Sequence, residues 1–260
     1  MAFLLAISVG NTRTAVGHFH GDELHGTQHL DNTSLEAIVA AAEDQWKHAS
    51  DTEADDTDIV IASVNDPVAD RLEAMVAERL GTSVWRIGRD LEIPIGRQLD
   101  TNAKPGQDRL LAAAAAYDML KQSVIVVDAG TCVTVDFVDG HGTFHGGAIA
   151  PGARMQLRAM HQGTAALPEI GWSAPEHDET FGRNTKQAML LGVYEGIRGG
   201  VQRLAERYSE SYGAFPHVLA TGGDAELLFQ DDPVVTRVVP DLVLRGIWLA
   251  VRYERNATPE

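Results

Sequence analysis

Leu4-Leu5-Ala6-Ile7-Ser8-Val9-Gly10-Asn11-Thr12-Arg13 is an apolar run that stops at a glycine, passes through amide and hydroxyl side chains, and leads into a second apolar run. The same pattern returns at Ile125-Val126-Val127-Asp128-Ala129-Gly130-Thr131-Cys132-Val133-Thr134. Ser8 falls on Asp128 and Gly10 on Gly130, each pair 120 residues apart (128 − 8 and 130 − 10). A turn of small residues between paired strands brings backbone N–H groups and hydroxyls close to an anion. Two such turns, half a chain apart, predict two similar lobes gripping one polyphosphate. Ala220-Thr221-Gly222-Gly223, closing a third apolar run, adds another close backbone approach of the kind a nucleotide needs. One Gly-Asn-Thr turn alone would carry little, because hairpins use such residues structurally.

Around these turns the chain reads as alternating strands and helices. Phe3 to Val9 and Thr14 to Phe19 form a hairpin. Thr33-Ser34-Leu35-Glu36 has a capping-box pattern and opens a helix with Leu35, Ile38, Val39 and Ala42 on one face. A strand over 58–64 is followed by Asp66-Pro67, which starts a helix through Leu80, and then by a strand over 84–87. Pro94, Gly96, Asn102, Pro105 and Gly106 make 94–107 a loop, and the Ala- and Leu-rich stretch over 108–120 a helix. The second strand-turn-strand begins at Val124, and a further strand covers 143–149. Helices are predicted from Pro151 to about His161, from Asn184 to Tyr208 and from Asp241 to Tyr253, with a strand over 216–221. Strand-rich starts followed by helices, used twice without a Ser/Pro/Gly linker, describe a duplicated α/β architecture with its boundary near residue 115.

Bulk properties narrow the function. The chain has 260 residues, 44% apolar and 22% charged, as in an ordinary globular protein with a sizeable core. A formal net charge of −16 argues against nucleic acid or an anionic membrane as partner through a broad basic face, but not against a small anion held by a local nest. Cys132 is the only cysteine, which rules out an intramolecular disulfide and a thiolate cluster. No apolar run is long enough to span a bilayer. Residues 1–7 lack a basic n-region and lead straight into the first turn, so they read as a buried strand rather than a signal peptide, and a cytoplasmic location is expected.

Two further stretches could carry chemistry. In Lys104-Pro105-Gly106-Gln107-Asp108-Arg109 a loop ends at glycine and a helix opens with a carboxylate and a guanidinium. The helix dipole alone accounts for an acidic residue there. Equally, a carboxylate general base beside an Arg that clamps a substrate carboxylate has this form. Gly182-Arg183-Asn184-Thr185 also precedes a helix and reads best as an N-cap. The ten His residues show no metal-ligand spacing. Cys132 lacks a basic neighbour in sequence and reads as a packed small residue.

Taken together, Gly10-Asn11-Thr12, Pro105-Gly106-Gln107-Asp108-Arg109, Asp128-Ala129-Gly130-Thr131, Gly146-Gly147-Ala148-Ile149-Ala150-Pro151-Gly152, Thr164-Ala165-Ala166-Leu167-Pro168, Gly182-Arg183-Asn184-Thr185 and Ala220-Thr221-Gly222-Gly223-Asp224-Ala225-Glu226-Leu227 resemble, in order and spacing, the type III pantothenate kinases. These belong to the actin-like, sugar-kinase and heat-shock ATPase superfamily. The resemblance spans nearly the whole chain. It implies an α/β fold of two tightly packed, duplicated actin-like (ribonuclease H-like) lobes, 1–115 and 116–260, with the active site between them. It implies transfer of the γ-phosphate of ATP, with Mg²⁺, to the primary hydroxyl of pantothenate, the first step toward coenzyme A.

Carried over by position, Asp108 is the general base, and Gly106, Gln107 and Arg109 help bind pantothenate. Ser8, Val9, Gly10, Asn11, Thr12, Arg13, Thr14 and Ala15 form the first phosphate turn; Thr131, Gly222 and Gly223 join them around ATP. Asp128 holds an activating monovalent cation (K⁺ or NH₄⁺), and Thr185 contacts pantothenate across a homodimer interface. Ala188, Gly192 and Gly196, on the helix after Thr185, permit close helix approach. Two residues depart from the family pattern. Ser8 stands where the family has Asp in Asp-x-Gly-Asn-Thr, which should weaken metal affinity, since a hydroxyl is neutral. Leu99 stands where many members place Tyr. Ser8 keeps open an alternative, a non-catalytic relative that binds a nucleotide or a pantothenate-like ligand.

Overall fold

The computed structural model describes residues 2–50, 57–176 and 180–257. By its contacts the chain divides into two units. One comprises Met1–Gly96, Asp100–Asp118 and Asp241–Glu260, the other Arg97–Leu99 and Met119–Pro240.

The first unit is built on β1 (Phe3–Val9), six of whose seven side chains are buried, as expected of a central strand with both faces covered. β2 (Arg13–His20) pairs antiparallel to it, Val9 opposite Thr14 and Phe3 opposite His20. β3 (Glu23–Asp31) extends the meander. The sheet continues after α1 (Leu35–Ser50) with β4 (Thr57–Ser63), parallel to β1, and after α2 (Asp66–Leu80) with β5 (Trp85–Arg86). The strand order is β3-β2-β1-β4-β5. The predicted helix over 66–80 matches α2, which has Pro at its start and a left-handed Gly81 at its end.

β3 escapes the sequence reading. It is mostly exposed, and Glu23-Leu24-His25-Gly26-Thr27-Gln28-His29 has no apolar alternation to reveal an edge strand. Two-residue β6 (Gly96–Arg97) likewise lies in what reads as loop. α3 (Gln107–Leu120) is buried without interruption from Leu110 to Ala116, so it is a central helix rather than an amphipathic one.

The second unit repeats the plan. β7 (Val124–Ala129) pairs antiparallel with β8 (Cys132–Val138), which pairs with β9 (Thr143–Pro151). After α4 (Ala153–Gly163) and α5 (Thr185–Tyr212), β10 (His217–Thr221) returns parallel to β7. α6 (Ala225–Phe229) then leads to β11 (Arg237–Val238). The order β11-β10-β7-β8-β9 mirrors that of the first sheet, with β6 added beyond β9. Pro151 ends β9 instead of starting a helix. Gly152 follows with its N–H on Thr131 O (3.1 Å), and α4 begins only at Ala153.

The final helix, α7 (Leu242–Ala257), packs on β1, β2 and β4 and so falls in the first unit, whereas a division at 115/116 places it in the C-terminal lobe. The reason is steric and apolar. Leu242, Leu244, Ile247, Leu249, Ala250 and Val251 are buried, and Gly246 sits so close to α3 that a Cβ there would lie 2.3 Å from Leu111 O. Among the described residues no helix is long and apolar enough to cross a membrane.

Candidate active site

The first glycine turn is pinned by side chains. Gly10 N–H donates to Arg13 O (2.9 Å), closing the turn. Asn32, just past β3, reaches back to it. Its Nδ2 donates to Gly10 O (2.8 Å), its Oδ1 accepts from Thr14 Oγ1 (2.7 Å), and its N–H donates to Thr12 O (3.0 Å). Asn65 Nδ2 donates to Asn11 O (3.3 Å), and Val64 N–H to Val9 O (3.0 Å). Ser8, Val9, Gly10, Asn11, Thr12, Arg13, Thr14 and Ala15 thus form one anchored hairpin. Ser8 is half-buried, while Asn11, Thr12 and Arg13 are exposed. Sequence reasoning missed Asn32 and Asn65, because neither belongs to a contiguous motif.

The same unit brings Gly106–Arg109 beside that hairpin. A Cβ at Gly106 would lie 2.5 Å from Asp108 Oδ1 and 3.5 Å from Val64 Cγ1, so only glycine lets the carboxyl settle there. Asp108 Oδ1 accepts the N–H of Arg109 (2.8 Å) in the first turn of α3. Burial pushes the Asp108 carboxyl above the ordinary carboxylate range, against the opposing pull of the Arg109 N–H and guanidinium. Gln107 is committed at both ends of its amide. Oε1 accepts from Ser63 N–H (3.2 Å) and Nε2 donates to Ile87 O (2.9 Å), over Gly88, where a Cβ would lie 2.6 Å from that nitrogen. It fastens the start of α3 to the ends of β4 and β5.

The second turn is cradled by backbone. Gly130 N–H donates to Cys132 O (2.9 Å). A Cβ at Gly152 would lie 2.1 Å from Gly130 O and 2.6 Å from Thr131 O. One at Gly222 (φ +95°) would meet Asp128 Oδ1 at 2.3 Å and Ala129 O at 2.5 Å. Asp224 N–H donates to Ala129 O (2.9 Å). The structure therefore gathers Asp128, Thr131, Gly222 and Gly223 in one place. Thr185 lies elsewhere in this unit, exposed in the first turn of α5. Its neighbour Asn184 caps the helix, Oδ1 accepting from Gln187 N–H (2.9 Å) and Nδ2 donating to Gln187 Oε1 (2.8 Å). The capping reading of Gly182–Thr185 holds, with Gly182 required because a Cβ there would lie 2.4 Å from Ala188 N.

Residues 4–207 match the family model for type III pantothenate kinase. The chain belongs to the type III pantothenate kinase family. It is 34% identical over 259 residues to the type III pantothenate kinase of Ruegeria pomeroyi, covering 97% of this chain and 98% of that protein. It is 33% identical over 258 residues to the one from Rhodospirillum rubrum, with the same coverage. In three dimensions it resembles component A of the (R)-2-hydroxyglutaryl-CoA dehydratase of Acidaminococcus fermentans. The TM-score is 0.59 at 15% identity, covering 99% and 100% of the two chains. The fold is accordingly the duplicated, actin-like α/β class.

Ser8 places a neutral hydroxyl in the first turn of this pantothenate kinase homologue. Leu99 packs toward Gly146, where a Cβ would lie 3.2 Å from Leu99 Cδ2. Glycine at 146, with φ +85°, leaves room for it.

Proposed function

We propose that this protein phosphorylates pantothenate with ATP, using Asp108 as general base. Asp108 carries the reading. Its carboxyl is half-buried, seated in the notch left by Gly106, with a raised pKa at a helix start beside the first glycine turn. A base works best when its pKa approaches the working pH, and partial burial moves a carboxylate that way. Asp108 accepts the proton of the primary hydroxyl as the oxygen attacks the γ-phosphate. Arg109 holds the substrate carboxylate, with Gly106 shaping the same segment. Gln107 contributes by holding α3 in place, since its amide is engaged. The hairpin 8–15 with Thr131, Gly222 and Gly223 receives ATP. Phosphoryl transfer asks for such positioning and charge neutralisation more than for covalent chemistry.

The donors present support the cation readings. Asp128 Oδ1 and Ala129 O both converge on the space a Gly222 Cβ would fill, and oxygen donors of this kind suit a hard monovalent cation. When bound, K⁺ or NH₄⁺ would offset phosphate charge. Mg²⁺ needs no protein cage, because it is commonly held by one or two carboxylates plus substrate phosphates.

The proposed assembly is a homodimer in which Thr185 of one copy reaches the pantothenate of the other. Among the described residues, Gly192 and Gly196 on α5 have no atom within 4 Å of a Cβ position, which supports close approach of a second chain, and Phe181 before the helix is 75% exposed. The proposed setting is the cytoplasm.

The decisive assay follows ATP-dependent phosphorylation of pantothenate in potassium, ammonium and sodium salts. Turnover that is strong in potassium or ammonium and poor in sodium supports the reading. Binding of both ligands without turnover in any salt would replace it by a non-catalytic role, and equal rates in all three would remove the cation. Sedimentation showing a fully active monomer at micromolar concentration would remove the dimer.

A further inference from the structure

Arg154, in the first turn of α4, is 59% exposed at its side chain, yet one nitrogen is firmly held. Nη1 donates to both oxygens of Asp224, at 2.8 and 2.6 Å. Asp224 is the opposite kind of residue, its side chain only 5% exposed. Nη1 is its side-chain partner among the described residues. The pair ties together two segments that converge on the second glycine turn. Gly152, two residues before Arg154, lies against Gly130 O and Thr131 O. Gly222, two residues before Asp224, lies against Asp128 and Ala129 O. Asp224 N–H closes the set on Ala129 O.

Electrostatics turns this into a function. A polyphosphate approaching the second turn meets the carboxylates of Asp128 and Asp224, in a chain of net charge −16. Like charge so close is repulsive unless a local cation compensates. Arg154 offsets Asp224 with one nitrogen. Among the described residues its Nε and Nη2 make no hydrogen bond, so they remain as donors on a guanidinium already anchored at Nη1. Anchoring one edge of an Arg lowers the entropy lost when the other edge takes an oxyanion.

We infer that Arg154 is a phosphate-binding residue of the nucleotide site and that Asp224 is the positioning residue that aims it. This rests on reading the second turn as the ATP site. The test uses the full chain and measures Kd for ATP and for uncharged adenosine, with KM for pantothenate, in the parent, Arg154→Gln, Arg154→Lys and Asp224→Asn. Charge-assisted hydrogen bonds predict an ATP affinity roughly ten- to hundredfold weaker in Arg154→Gln. Adenosine affinity and the pantothenate KM should stay within about twofold, and Arg154→Lys should recover part of the loss. Asp224→Asn should show a smaller loss confined to ATP.

Because Arg154→Gln leaves a buried carboxylate unpaired and can fail to fold, the double variant with Asp224→Asn carries the same comparison. In it the weak ATP binding should persist. Parental ATP affinity in either glutamine variant, or an equal loss for adenosine, would overturn the role of Arg154 while leaving the kinase reading intact. A parent protein that binds neither nucleotide would overturn both.

Discussion

The two glycine turns occupy the same place in the same sheet order but are supported in opposite ways. The first hairpin places four residues, 10–13, between the paired Val9 and Thr14. The second places three, 130–132, between Ala129 and Val133. The 120-residue offset therefore holds for the incoming strands only. On the return the offset is 119 (133 − 14), and Cys132 takes the place of Arg13 in accepting the glycine N–H. The longer turn is pinned by the amide side chains of Asn32 and Asn65, the shorter one by backbone at Gly152 and Gly222. A turn held by side chains leaves its own side chains room to vary. Where backbone packs against the second turn, at Gly152 and Gly222, there is no space for even one added carbon. Ser8 falls in the first kind, and Asp128 sits in the second.

The largest effect expected lies beside the first turn. Asp108→Asn should lower kcat by about 10²–10⁴-fold while leaving the melting temperature unchanged or slightly raised. The sign follows from burial. The folded pKa of Asp108 is raised, so its contribution to stability is fully present below the unfolded carboxylate pKa and is lost as pH rises through the folded value. At neutral pH the ionised carboxylate is therefore a cost that asparagine removes. In the parent, kcat/KM should fall as pH drops through a value above the ordinary carboxylate range. Near-parental turnover in the variant would move the base elsewhere and make the first turn merely a nucleotide contact.

Next come the backbone contacts of the second turn. Gly152→Ala and Gly222→Ala each push a methyl into carbonyl oxygens at 2.1–2.5 Å, and Gly222 also has a left-handed φ. Each should destabilise by about 3 kcal/mol or more. Gly10→Ala, with its nearest atom at 2.9 Å, should cost less. Denaturant melts that rank Gly10→Ala as the worst of the three would invert the comparison.

Ser8→Asp sharpens it further. Adding a carboxylate to the side-chain-pinned turn should lower the ATP KM about five- to tenfold, the difference between a charged and a neutral contact to a bound cation. The pantothenate KM should move little. An unchanged ATP KM would mean that another group already serves this place.

The smallest effect on stability is expected at Gly130. Among the described residues a Cβ there meets nothing within 4 Å, and its φ is not left-handed. Gly130→Ala should keep stability within about 0.5 kcal/mol of the parent. A raised ATP KM in a variant that melts normally would mark Gly130 as a ligand-facing position. Loss of fold would show that it is structural after all.

Strands buried on both faces, such as Phe3–Val9 and Val124–Ala129, were legible in the sequence because mostly apolar runs that stop at a glycine have few other uses. Helices with a proline start or a glycine stop, such as Asp66–Leu80, were legible for the same local reason. Exposed β3 was not, since an edge strand needs no apolar pattern when its partner supplies the hydrogen bonds. In the site, the residues of contiguous motifs were found, whereas Asn32, Asn65, Arg154 and Asp224 received no role. Each acts on a segment distant in sequence, as when Asn32 reaches Gly10 or Arg154 reaches Asp224.

By itself, then, the sequence determined the duplicated α/β plan, the family and the positions of the glycine turns, because these depend on local patterning and short-range turn chemistry. Only the tertiary structure decided which glycines are indispensable, that Gln107 is a fastener, that α7 packs with the first unit, and that Arg154 is held by a buried carboxylate. Those are consequences of which atoms meet across long stretches of chain, and close packing, unlike periodicity, leaves no local trace in the order of the residues.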